Sequence, residues 1–241
     1  MTLPTLLTIA ATALFLVLER VYPGRPLPHS AGWHLRALAI NIAQLGITLV
    51  TGKLWLHVFG HNSVLTLSAW KFPMGEGFVA WFVGTFAFYW WHSMRHHKVF
   101  WRVFHQIHHS PARIEILTSF YKHPIEILAN SMLSAAILFP LLGCSLLGMF
   151  WYNVFAATGE YFYHANLRTP GWLRYLIQTP ELHSIHHQYD LHGFNYGDIP
   201  LWDRLFGTYR DATVFAARCG FRDGAEQRLG AMLKFVDVYE T

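Results

Sequence analysis

The stretch Trp90–Ser110 reads WWHSMRHHKVFWRVFHQIHHS and sets six histidines, His92, His96, His97, His105, His108 and His109, directly after a long apolar segment. Arg95, Lys98 and Arg102 stand among them. On a helix, His92 and His96 are four residues apart and share a face, and His105 lies three and four residues from His108 and His109. Each group therefore projects its imidazoles from one side, an arrangement that can hold metal. His97, five positions beyond His92, is turned away from the first face, so a surface or outer-contact role is expected of it, as of His123 and His192.

Composition says what surrounds this stretch. The 241 residues are 53% hydrophobic, 17% aromatic and 13% charged, against about 25% charged in soluble proteins. That points to a membrane protein. A net charge of +4, spread over short segments, gives nucleic-acid binding little support and suits an anionic membrane surface. The two cysteines, Cys144 and Cys219, lie too far apart in sequence to suggest a disulfide framework or a cysteine-ligated zinc site, so histidine must carry any metal.

Apolar runs predict an all-α integral membrane bundle of three spans plus a helical hairpin, with helices at about 3–20, 38–59, 77–93, 125–142 and 146–163. The first run is expected to be a retained helix rather than a cleaved signal. The third ends in Phe88-Tyr89-Trp90-Trp91, an aromatic belt of the kind that marks a membrane interface. Pro140 is expected to bend the first hairpin helix. A metal-binding cap occupies about 92–124 and 164–210, with a tail at 211–241, all within a single membrane domain over 1–241. With Arg20, Arg25 and Arg36 on the cytoplasmic side, helix parity returns Arg95, Lys98 and Arg102 to that side as well. It brings His164 and the later box His183-Ser-Ile-His186-His187 to the same face.

That later box repeats the spacing of His105-Gln-Ile-His108-His109. Eight box histidines, with His164 as a ninth, supply at least four nitrogens to each of two ions, whereas one zinc would use only three or four. Imidazole suits iron, zinc, copper and nickel alike. Glu160, Asp190 and Asp203 are candidates for compensating the metal charge or orienting ligand N–H groups. Asn195, Tyr196 and Gly197 are expected to make a turn near the metals, with Gly197 available for a positive φ.

With these residues in place, the chain resembles the fatty acid hydroxylase and sterol desaturase superfamily of membrane histidine-box di-iron oxidases. The resemblance runs from Tyr89-Trp-Trp-His92-Ser-Met-Arg-His96 through Phe104-His105-Gln-Ile-His108-His109 and His123-Pro-Ile-Glu126. It continues at His183-Ser-Ile-His186-His187 and Asn195-Tyr-Gly197 and closes at Trp202-Asp203-Arg-Leu-Phe-Gly-Thr208, about half the chain. It implies a helical membrane body under a cytoplasmic metal-bearing cap, with His92, His96, His105, His108, His109, His164, His183, His186 and His187 holding two iron ions. It also implies O2 as co-substrate and hydroxylation or desaturation of a lipid C–H bond. Glu160, Asp203 and Asn195 stand as outer contacts of that centre. The fatty acid 2-hydroxylase branch has His-x-x-x-His after the hairpin where this chain has Glu160-Tyr-Phe-Tyr-His164, so Glu160 ligates metal, hydrogen-bonds a ligand or ends a helix in water. Electrons would come from NAD(P)H through a separate carrier protein, in a bacterial inner membrane or an endoplasmic reticulum membrane. The competing expectation is a metal transporter or metal-binding membrane protein without oxidase activity, whose ligands would favour the bilayer midplane.

Overall fold

The structure is a computed structural model that describes residues 1–60 and 62–239. It is all-α, built on five long helices. Helix α1 is Leu3–Val21, α2 is Trp33–Phe59 and α3 is Pro73–Arg95. Helix α4 is Pro124–Ala136, continued by a π-helical turn, Ile137–Leu141, and α5 is Leu146–His164. Short polar side chains and prolines set the starts. Thr2 caps α1 and Ser145 caps α5 through their hydroxyls, and Pro73 and Pro124 open α3 and α4, where a missing N–H costs nothing. Helix α2 begins five residues before the expected Leu38, because its first turn carries His34 and Arg36, which no apolar pattern reveals. Pro140 falls inside the π-turn at the end of α4, where the wider turn accommodates the ring.

Among the described residues, three helices are long and apolar enough to cross a membrane: Leu3–Val21, Trp33–Phe59 and Pro124–Leu141. The other two expected spans, α3 and α5, are not among them. They carry Glu76, His92 and Arg95, and Asn153, Glu160 and His164, and much of their apolar surface faces protein. Ala80 of α3, Leu138 and Phe139 of the π-turn and Tyr152 of α5 share one buried cluster. Phe15 of α1 packs on Tyr161 and Phe162 of α5, and Trp55 of α2 donates its indole N–H to Ser131 of α4.

One end of this bundle carries every histidine box. The C-terminal ends of α1, α3 and α5 and the N-terminal ends of α2 and α4 meet there under a cap of short elements. A helical run at 98–109 contains a π-turn, Trp101–His105, before the short helix Gln106–His109. Helix α6, Pro180–His186, and helix α7, Pro200–Phe206, follow. The segment expected as a tail folds back beneath the cap. Its Phe221, Ala225, Met232 and Val238 are buried with Trp33, Ala37 and Ile40 of α2 and with Trp101, Ile107 and Tyr121. Gly220 makes this return possible: its φ is +81°, and a Cβ there would lie 2.6 Å from the backbone of Pro111 and Ala112. Its N–H donates to the His187 carbonyl, while Phe221 N–H donates to Ser110, so 220–221 ties together the exits of the two boxes.

Candidate metal centre

Nine buried or nearly buried imidazoles gather at that end in two groups. His92, His96, His105, His109 and His186 form one, and His108, His164, His183 and His187 the other; within each, one nitrogen per ring lies within 4.8 Å of all the rest. The two boxes are interchanged. The 105–109 box gives His105 and His109 to the first group and His108 to the second, whereas the 183–187 box gives His183 and His187 to the second and His186 to the first. Helix geometry causes this: residues four apart share a face, and the residue between them projects to one side of it.

Hydrogen bonds at the far side of several rings fix which nitrogen faces inward. His92 donates Nδ1–H to the Tyr196 carbonyl at 2.7 Å, His164 to the Glu160 carbonyl at 2.8 Å and His186 to the Phe194 carbonyl at 2.8 Å. His105 donates to Glu126 Oε1 at 3.1 Å. Each of these rings therefore turns a lone pair on Nε2 toward its neighbours. The Nε2 atoms of His92 and His105 stand 2.9 Å apart, and His164 Nε2 lies 3.2 Å from His108 Nε2 and 3.0 Å from His183 Nε2. Lone pairs at such distances repel unless a cation sits between them. Metal–nitrogen bonds of roughly 2.0–2.1 Å place neighbouring ligand nitrogens about 3 Å apart, so the spacing fits a shared ion in each group.

Burial, reinforced by the neighbouring imidazoles and, for His105, by Arg95, holds His105, His109, His183 and His187 well below the usual histidine range, and His186 is lowered to about 3. They remain neutral, the form that binds metal. The metal-free fold is accordingly expected to weaken in acid. The unfolded chain takes up protons below about 6.5, whereas folded His186 resists down to about 3. Its contribution is complete above the unfolded value and drains away as pH falls through that window, amounting to about 2 kcal/mol lost by pH 5 for this one group. Unfolding of chelator-treated protein between pH 7 and pH 5 should show a falling midpoint; a flat profile would contradict neutral buried imidazoles.

The outer residues act through these rings. Glu160 reaches His164 with its backbone carbonyl, while its carboxylate pairs with Lys122 Nζ at 2.9 Å and lies 3.6 Å from His164 Nδ1. Asp203 accepts N–H bonds from Tyr196 and Gly197, both at 2.8 Å, and the Thr208 hydroxyl at 2.7 Å, so it fixes the turn that presents the Tyr196 carbonyl to His92. Burial pushes its carboxyl up to about 6 against these three donors. Asn195 braces the same turn through the carbonyls of Leu182 and Arg210. The positive φ for which Gly197 was available is taken by Asn195, at +57°. Gly197 is needed for closeness, since a Cβ would stand 2.9 Å from Asp203 Oδ2. Asp190 accepts from the Tyr239 hydroxyl. His97 is exposed, and His123 caps α4 through Nδ1. His192 is more enclosed than expected, packed 5.0 Å from the Trp101 ring and 5.2 Å from His109.

Several residues beside the rings were given no role from the sequence, although Glu126 closes the quoted segment His123-Pro-Ile-Glu126. Glu126 on α4 bridges the Arg95 guanidinium of α3 and the His105 ring, with side-chain exposures of 0% and 5% for Glu126 and Arg95. Its signal was a carboxylate three residues after His123, in a first helical turn. A small cavity of about 40 Å³ lies against both groups, walled by His92, His105, His108, His164 and His183 together with Phe88, Asn130, Lys122, Glu160, Tyr163 and Asp198. Tyr163 donates its hydroxyl to Asp198 at 3.1 Å. Burial and the nearby Glu160 charge push Asp198 up to about 7.

Residues 77–208, more than half the chain, match the family model described as fatty acid hydroxylase. The chain belongs to the fatty acid hydroxylase family. Among curated relatives, it is 33% identical to the ornithine lipid hydroxylase of Rhizobium tropici over 135 residues, which are 54% of this chain and 40% of that protein. It is 32% identical to a probable Delta(7)-sterol 5(6)-desaturase of Neurospora crassa over 140 residues, 54% of this chain and 38% of that one. To the alkylglycerol monooxygenase of Xenopus tropicalis it is 28% identical over 129 residues, 52% of this chain and 28% of that one. The match thus spans two fifths or less of each of these relatives. No solved structure matches the chain.

Proposed function

We propose that this fatty acid hydroxylase family member is an O2-dependent non-haem di-iron oxidoreductase that hydroxylates or desaturates an unactivated C–H bond of a membrane lipid. The convergence of neutral Nε2 lone pairs into two adjoining groups carries the reading. His92, His96, His105, His109 and His186 would hold one iron, and His108, His164, His183 and His187 the other. Bound iron supplies the redox chemistry with O2 that no amino-acid side chain provides. The chain's own work is orientation and exclusion. The carbonyls of Tyr196, Glu160 and Phe194 and the Glu126 carboxylate fix ring tautomers, while the cavity of only about 40 Å³ beside the rings leaves little room for bulk water. Phe88 of α3 and Asn130 of α4 line that cavity from the bundle side, the side from which a lipid chain would arrive.

The relatives' names, a lipid hydroxylase, a sterol desaturase and an alkylglycerol monooxygenase, support a lipid substrate. The basic residues Arg20, Arg25, Arg36, Arg95, Lys98 and Arg102 favour a cytoplasmic position for the histidine end. Electrons would arrive from NAD(P)H through a separate carrier protein. Ligands at one end of the bundle, rather than midway along it, disfavour metal transport. Lipid mass spectrometry of cells expressing the wild type or His108→Ala tests the reading. Lipids that gain one oxygen, or lose two hydrogens, in the wild type alone are expected; identical lipid profiles in an iron-loaded wild type would refute it.

A further inference from the structure

Beside the end of α1 lies a second, open pocket of about 660 Å³, lined by Arg20, Arg25, His34 and Arg113 and backed by Glu19 and Asn166. Two buried carboxylates hold its arginines: Glu19 lines the pocket, and Glu115 stands behind Arg20 and Arg113. Glu19 accepts the backbone N–H groups of Ile116 and Asn166 at 2.9 and 3.2 Å, and Glu115 accepts the Trp33 indole N–H at 2.6 Å and Arg113 Nε–H at 2.9 Å. Arg20 reaches both acids with the same nitrogen, Nη1, at 2.9 Å. The acids are spent inward: their side chains are 0% exposed, whereas that of Arg20 is 48% exposed. Arg25 is anchored to the cap through the Ala216 carbonyl at 2.7 Å and lies over the Phe215 ring. Among the described residues, no protein acceptor meets Nη2 of Arg20 or of Arg113. His34, in the first turn of α2, is exposed at the rim.

Charge and position identify the ligand. Three guanidiniums against two carboxylates leave one formal positive charge, with the remaining donors held in place by buried acids. That complements a monoanion with several acceptor oxygens, the chemistry of a phosphodiester. The pocket sits at the last turn of α1, a helix long and apolar enough to cross a membrane, so it lies at the level where a span leaves the hydrocarbon. Below it along α1, Leu14 and Val17 are 55% and 58% exposed and continue the path as an apolar surface fit for acyl chains. We propose that this pocket binds the phosphodiester headgroup of an anionic phospholipid, with the tails lying along α1. The proposal is independent of the oxidase reading. It concerns a separate site, although Asn166, whose N–H is held by Glu19, follows His164 by two residues.

Native mass spectrometry of the full chain in detergent, after exchange into equimolar phosphatidylglycerol and phosphatidylcholine, tests it. The wild type should retain phosphatidylglycerol preferentially. Arg20→Gln should reduce that preference by ~10-fold, and His34→Glu, which alters the rim charge without touching the buried network, by ~3-fold. Both variants must elute as the wild type does, with unchanged metal content; should Arg20→Gln misfold, His34→Glu decides alone. Equal retention of the two lipids by the wild type, or an unchanged preference in His34→Glu, overturns the proposal. A third arm uses inorganic phosphate. If it displaces phosphatidylglycerol at equal concentration, the site takes free phosphate and the lipid assignment fails.

Discussion

His108→Ala is expected to lower bound iron from two per chain to about one and to reduce turnover at least ~100-fold, since loss of an outer contact alone costs ~10–100-fold at metal sites. The two groups are unequal, and that makes the prediction specific. His108 belongs to the group of four nitrogens and its removal leaves three, whereas His186 belongs to the group of five and its removal leaves four. His186→Ala should therefore retain more iron than His108→Ala while still losing activity, because the ring that the Phe194 carbonyl aims inward is gone. Elemental analysis of purified variants separates the outcomes. Full iron content with full turnover in His108→Ala would remove the basis for the ligand assignment.

The second large effect concerns stability. Glu126→Ala should destabilise the fold by about 3–5 kcal/mol, the usual cost of stranding one partner of a buried ion pair. Arg95 has nowhere to take its charge: the residue is 4% exposed and lies among imidazoles. The same substitution removes the acceptor that orients His105, so iron binding should weaken as well. The double variant Arg95→Leu/Glu126→Leu, which deletes both charges, should recover much of the stability but not the iron. Denaturant unfolding of the three variants gives the comparison. A single variant within about 1 kcal/mol of wild type would show that the buried guanidinium does not depend on Glu126.

Much of this architecture could be read along the chain because the relevant physics is local. Apolar runs marked five helices, and three-and-four spacing marked the faces of the boxes. What lay hidden depends on residues distant in sequence. Spacing says that His105, His108 and His109 lie near one another, but not that His108 joins His183 while His186 joins His92. Arg95 and Glu126 look like ordinary helix-end charges until α3 and α4 meet. Residues 211–239 carry too weak a pattern to show that they close the cap, and Asn195 rather than Gly197 takes the left-handed backbone because its side chain is anchored on both sides of the turn.

The interchange of the two boxes also sets a timetable for the newborn chain. Nothing before residue 183 can finish either group: the first lacks His186, and the second lacks His183 and His187. The first box must therefore emerge from the ribosome and wait, with its rings unclosed, while more than seventy further residues, a whole helical hairpin among them, are made and inserted. Contacts this distant in sequence form late in folding. A chain cut short between His164 and His183 keeps the five long helices with four of the five rings of the first group and two of the four of the second, open to whatever metal or oxidant the surroundings offer.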